Sequence, residues 1–283
     1  MTYMENMENL LAFGASHPHL TAHALYPYRH LFRKSAHEGP YSWGMAMCRP
    51  PDEIEHKRRP LHMDAIDVYE TVQHWQPEFG MAHFEVSHAS RSPHDVAPFR
   101  QRNWFFAMLG GSSRPTRIRE WLQNAIKGDL RWNAPGNTEQ ELVFQFFLVF
   151  LKETCQLNAY DPDHGAVAVA LAQTYRNWRR LARDIEEEET PTVFCVSNGR
   201  FLMTYCSMDN VGGYRFIEGM QDPCPYCRDH HPDVDDNVRT HPDLHALLVV
   251  GDLKTPPAER GLAAIPRDRV LFYRDRKIEW IPV

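Results

Sequence analysis

The stretch FGMAHFEVSHASRSPHDVAPFRQRNWFFAMLGG, residues 79–111, decides how the rest of the chain is arranged. Two alternating, aromatic-rich segments, 79–87 and 103–109, flank a polar loop that carries Pro93 and Pro98. Alternation with aromatic enrichment is the pattern of a strand with covered faces. The second segment runs into Gly110-Gly111, where the lack of side chains lets a backbone come close to a ligand. The two segments read as a strand pair that delivers a loop to a site, with His83 and His88 placed to face it.

Toward the N-terminus, residues 10–15 and 43–48 are short apolar runs read as strands, the second closed by Pro50-Pro51. Residues 19–34 have helical composition and bend at Pro27, whereas 52–59 is charged and reads as a solvated excursion. Met63, Ile66, Val68, Tyr69, Val72 and Trp75 recur at helical spacing. Toward the C-terminus, 115–126, 139–155 and 164–187 read as helices. Thr138 is a good N-cap for the second, with Glu141 completing a capping box. The third should fray over 186–189, where the helix dipole disfavours four successive glutamates.

The period then changes. Residues 192–196 and 200–207 flank Ser197-Asn198-Gly199, a hairpin signal, and 246–250, 269–273 and 277–281 supply further strands. A polar insertion at 208–244 interrupts them. Strands, then helices, then strands again predict an α+β fold with layered antiparallel sheets. No linker divides residues 1–283, so one domain is expected.

The composition narrows the function. Of 283 residues, 43% are hydrophobic and 24% charged, as in an ordinary globular protein, and the net charge of −6 argues against nucleic-acid or anionic-membrane binding. The apolar run 142–151 is about half a membrane span. Six cysteines are too few for a disulfide scaffold, and the N-terminus lacks the basic region of a secretory signal. A cytoplasmic protein is expected.

Several motifs follow one another in a telling order: Ser42-Trp43-Gly44, Ala82-His83-Phe84-Glu85, Ala97-Pro98-Phe99, and NWFFAMLG at 103–110. Then come Gly136-Asn137-Thr138-Glu139-Gln140-Glu141, GRFLMTYCS at 199–207, and Ile265-Pro266 ahead of the last hairpin. In order and spacing they resemble the class II glutamine amidotransferases in their small stand-alone form, over residues 10–283. The resemblance implies an N-terminal-nucleophile (Ntn) hydrolase fold, a four-layer α-β-β-α sandwich of two antiparallel sheets. It also implies glutamine hydrolysis by an N-terminal cysteine whose own α-amine is the base. With no room in 283 residues for a fused synthase, any ammonia-using protein partner would be a separate chain.

The departures carry more information than the matches. Glu8 falls where the family has its cysteine, and a carboxylate inside a chain has neither thiolate nor free amine. Glu85 replaces the arginine that pairs with the substrate carboxylate, which it would repel. Leu109 replaces the asparagine that donates to the oxyanion, a loss typically worth about 2.7–4 kcal/mol. Met108 and Ala97 each replace a histidine, and Glu139 replaces the aspartate that holds the substrate amine. Glu8, His83, Glu85, Met108, Leu109, Gly110 and Glu139 are therefore expected to form a degenerate pocket, in which Glu85 and Glu139 are paired carboxylates.

The expectation is a class II glutamine amidotransferase-like protein without glutaminase activity, acting as a ligand-binding or partner subunit. The alternative is an active amidotransferase or amide hydrolase with a displaced nucleophile. Thr2, exposed by methionine removal, is the candidate, although it lies eight residues before Leu10.

Outside the resemblance, Cys224-x2-Cys227-x13-His241-x3-His245 has zinc-ligand spacing. The intervening residues are acidic and lack the aromatic and leucine of a DNA-reading finger, so the expectation is a structural zinc that orders the insertion. His230 and His231 are alternative ligands, and a redox Cys-x-x-Cys is the competing reading. His17, His19 and His23 read as residues of a surface helix.

Overall fold

The computed structural model describes residues 8–36, 40–50, 53–86, 92–112, 115–126, 135–136, 138–159, 161–184 and 190–283. Thr2, His88, Asn137 and the glutamates at 186–189 lie outside them. In chain order the strands are β1 (Glu8–Ala15), β2 (Arg33–Lys34), β3 (Tyr41–Arg49), β4 (Glu53–His62), β5 (Ile66–Asp67), β6 (Phe79–Val86), β7 (Phe99–Gln101) and β8 (Trp104–Leu109). They continue with β9 (Val193–Ser197), β10 (Leu202–Cys206), β11 (Gly212–Met220), β12 (His241–Asp252), β13 (Ala263–Ala264), β14 (Arg269–Arg274) and β15 (Lys277–Pro282). The helices are α1 (Thr21–Leu25), α2 (Val68–Trp75), α3 (Pro115–Ala125), α4 (Glu139–Thr154), α5 (His164–Asp184) and α6 (Pro225–His230).

β1 carries no polar side chain from Leu10 to Ala15, so both of its faces must be covered. It lies inside a seven-stranded antiparallel sheet of order β13-β11-β12-β1-β6-β3-β4. Leu10 and Ala12 point one way, into a core shared with the second sheet, a six-stranded one of order β15-β14-β10-β9-β8-β7. Leu11 and Phe13 point the other way and meet Ala22, Leu25 and Phe32 from the α1 region and Val68, Tyr69 and Val72 from α2.

The second sheet alternates in the same manner. Trp104 and Phe106 pack on Phe144 and Phe147 of α4, whereas Phe105 turns inward to the ring of His56 on β4. Helices α3, α4 and α5 cover its outer face. Two antiparallel sheets between two helical layers make the four-layer α-β-β-α sandwich.

Five expectations need correction. The strand pair expected at 79–87 and 103–109 is not a pair: β6 (Phe79–Val86) joins the first sheet and β8 (Trp104–Leu109) the second. Each takes an interior place in its own sheet, covered on both faces for most of its length. The hairpin partner of β8 is the short β7, turned through Arg102 at φ 59°. The charged stretch 52–59 is largely β4, an edge strand whose charges protect its open side. The polar stretch 208–244 contributes β11 to the first sheet and the start of β12. Being next to the edge strand, β11 is half-exposed along most of its length, which hides its period. Residues 19–34 form only α1 with flanking 3-10 turns at 18–20 and 26–32, and α2 begins at Val68 because the Asp67 side chain caps it.

Gly44 marks a close backbone approach: a Cβ there would sit 2.3 Å from the backbone oxygen of Ala97. A backbone atom has no rotamer to swing away. Gly44→Ala is expected to destabilise the fold by about 3 kcal/mol, read as a lower urea midpoint at unchanged slope.

Candidate functional site

β1 begins, and β8 ends, at the same end of the space between the sheets. There a cavity of about 670 Å³ opens, bordered by Glu8, Glu85, Gly110, Glu139, Gln140 and Arg119, with Asp95 at its margin. Glu8 is the first residue of β1 and stands directly across from Glu85 of β6 in the antiparallel register. Cross-strand partners share a sheet face. The same alternation that sends Leu10 and Ala12 inward therefore brings both carboxylates to the mouth of the inter-sheet space.

The Glu8 carboxylate is tied down at three points. Its Oε1 accepts from His83 Nε2 at 3.0 Å and from Gln140 Nε2 at 3.1 Å, and its Oε2 accepts from the Gly110 N–H at 3.2 Å. Gly110 has φ 80°, and a Cβ there would meet the Pro191 oxygen at 2.2 Å. Only glycine fits this turn, and the turn aims its N–H into the cavity.

Glu139 opens α4, where the positive end of the helix dipole favours an anion. The Ser112 N–H donates to its Oε2 at 3.0 Å and the Trp178 indole to its Oε1 at 2.6 Å. Thr138 caps the helix as expected, accepting from the Glu141 N–H at 3.2 Å.

The structure thus brings Glu8, Glu85, Gly110 and Glu139 to one cavity. Met108 and Leu109, expected in its wall, do not border it: both are fully buried in the core. The reason is the four-layer stack, which covers both faces of β8. Met108 shares the helix-facing side of Trp104 and Phe106, and Leu109 turns toward the first sheet near Gly251. His83, 2% exposed, lies beneath Glu8 rather than in the lining. Gln140, Ser112 and Arg119 escaped sequence reasoning as site residues. For Gln140 the available signal was its place beside Glu139 in the first turn of α4.

A second constellation lies on the far side of the first sheet. His23 of α1, Cys224 and Cys227 around the start of α6, and His241 at the start of β12 place one ligand atom each within 4.8 Å of one another. His23 is therefore not merely a surface-helix residue. His245 lies elsewhere, with Nδ1 facing the Asp243 oxygen at 3.1 Å. Four residues converge on a helix but span about 13 Å along a strand, and 241–252 is a strand. His230 stacks on Tyr226 at 4.1 Å and also stays outside the cluster.

Two titrations are shaped by these surroundings. Burial, with His241 adding to it, pushes His23 down to about 4. Burial pushes Glu141 up to about 7, and the charge of Asp95 adds to this while the Gly136 N–H and Arg58 oppose it. Between about 4.5 and 7 the folded chain therefore holds the Glu141 proton that the unfolded chain has lost, so stability falls as pH rises through that window. Glu141→Gln should match the native chain near pH 4.5 and exceed its stability near pH 8 by up to about 3 kcal/mol, read by denaturant titration at the two pH values. Glu8→Ala, which leaves buried His83 without this acceptor, should cost about 1–3 kcal/mol in the same measurement.

No protein-family model matches the chain, and no curated sequence does. Solved structures do. A glutamine aminotransferase class-II domain protein from Silicibacter pomeroyi superposes with TM-score 0.54 at 16% identity, covering 97% of this chain and 98% of that one. A predicted glutamine amidotransferase from Pseudomonas aeruginosa PA01 gives TM-score 0.53 at 12% identity, with 97% and 98% covered. Among the described residues, no helix is long and apolar enough to cross a membrane. The chain has the fold of class II glutamine amidotransferase domain proteins.

Proposed function

We propose that this protein is a class II glutamine amidotransferase-like protein that does not hydrolyse glutamine, and that its acidic cavity binds a small amine-bearing ligand. The observation that carries the reading is the Glu8 carboxylate, held by His83, Gln140 and the Gly110 N–H at the head of β1. A carboxylate so bound is a weak nucleophile toward an amide, and it already occupies the backbone donor that an oxyanion would need. No cysteine borders the cavity among the described residues, and Cys195 and Cys206 are fully buried thiols with raised pKa.

The lining sets the ligand class. Among the described residues, Glu8, Glu85, Asp95 and Glu139 border the cavity, and Arg119 supplies a guanidinium. A cationic amine suits such a lining, and a free carboxylate would meet Glu85 where the resemblance expects an arginine. Cys224 and Cys227, the two cysteines close in sequence, are thiols not joined to each other, which supports a reducing, cytoplasmic setting.

Purified protein incubated with glutamine should release no ammonia above the blank, while putrescine should bind and raise the melting temperature. Glu139→Gln and Glu85→Gln should each weaken putrescine binding by about tenfold, the loss of one charge-assisted contact. Glutamine turnover abolished by Thr2→Ala would overturn the loss of activity. Equal affinity for putrescine and glutarate would overturn the ligand class.

A further inference from the structure

We propose that His23, Cys224, Cys227 and His241 bind one zinc ion, which staples the segment 221–240 to α1 and to the head of β12. Of the two histidines with finger-like spacing, only His241 takes part, and the fourth ligand comes from a helix some two hundred residues earlier in the chain.

The distances fit the ion. His23 Nδ1 lies 3.1 Å from His241 Nε2, 3.6 Å from Cys224 Sγ and 3.3 Å from Cys227 Sγ, and Cys227 Sγ lies 3.3 Å from His241 Nε2. A tetrahedral zinc with ordinary Zn–N and Zn–S bonds has ligand–ligand edges of about 3.3–3.8 Å. The cysteines are buried and not joined to each other. Two thiols and two imidazoles meeting at one point offer more lone pairs than protons, an arrangement a cation satisfies. Two sulfurs with two imidazoles select zinc among the common divalent ions, and four protein ligands leave no open position, so the site is structural.

The surroundings give the ion a task. Between 221 and 240 the only buried residues are Cys224, Cys227 and Arg239. Arg239 ties the loop internally, donating to the backbone oxygens of His231 and Pro232 and to Asp236. Contacts to α1 and the 3-10 turn after it run through a few rings: the Tyr26 hydroxyl donates to Asp229, the Tyr26 ring meets Tyr226 and His230, and the His23 ring packs on Tyr226 at 4.2 Å. So little apolar surface does not hold a segment of this length in place, and metal binding supplies the missing free energy.

The test is elemental analysis of the full chain, expressed with zinc and passed through a desalting column. About one zinc per chain is expected in the native protein and in His245→Ala, with less than a tenth of that in His23→Ala and in Cys224→Ser/Cys227→Ser. Cobalt exchanged into the native protein should give the intense d–d bands of a tetrahedral site with a sulfur charge-transfer band, a readout that does not depend on the variants folding. Chelation should open Arg228 and Arg239 to trypsin while leaving the rest of the chain resistant. A native protein that takes up no zinc or cobalt would overturn the proposal, as would zinc retained in His23→Ala but lost in His245→Ala.

Discussion

A strand that is apolar on both faces has to be covered on both, and β1 imposes that condition on the whole molecule. One face of β1 demands a second sheet and the other demands helices, so two layers become four. The register follows from the same constraint, because a one-residue slip would send Leu10 and Ala12 to the wrong core. With the register fixed, Glu8 falls opposite Glu85 at the strand head, and β8 of the facing sheet delivers Gly110 to the same point. The cavity is thus a consequence of packing, with Glu8, Glu85 and Gly110 brought to its rim by the register.

What those residues do is a separate matter of chemistry. At the strand head an attacking group would need a free lone pair and an unoccupied oxyanion donor beside it. Glu8 has its oxygens engaged by three donors, one of them that backbone N–H. Glu139 sits where a helix N-terminus favours negative charge, and its hydrogen bonds from Ser112 and Trp178 fix its direction. Preorganised anions around a cavity favour a cation at little reorganisation cost, which is the basis of the proposed ligand class.

The sequence made the layers legible because their signals are local: alternation in 79–87 and 103–109, the capped start of α4, and the Asn-Gly hairpin. Glu8, Glu85 and Glu139 were legible as site positions through the resemblance to the class II amidotransferases, and Gly110 also through its place in a Gly-Gly step after a strand. What was hidden depends on distant parts meeting. Nothing local says that β6 and β8 belong to different sheets, and burial on both faces, which also removes Met108 and Leu109 from the cavity wall, emerges only in the stack. β11 was hidden by half-exposed residues near the sheet edge. His23 joins Cys224 and Cys227 only because α1 packs beside α6, and His245 leaves the cluster only because 241–252 is extended.

The central claim, that the fold has outlived its glutaminase chemistry, is tested most directly by a covalent probe. A diazoketone analogue of glutamine alkylates an amidotransferase nucleophile, and intact-mass spectrometry reads the adduct. The account predicts an unchanged mass after prolonged incubation at saturating probe. A stoichiometric adduct mapping to the first residues of the chain or to Glu8 would contradict it.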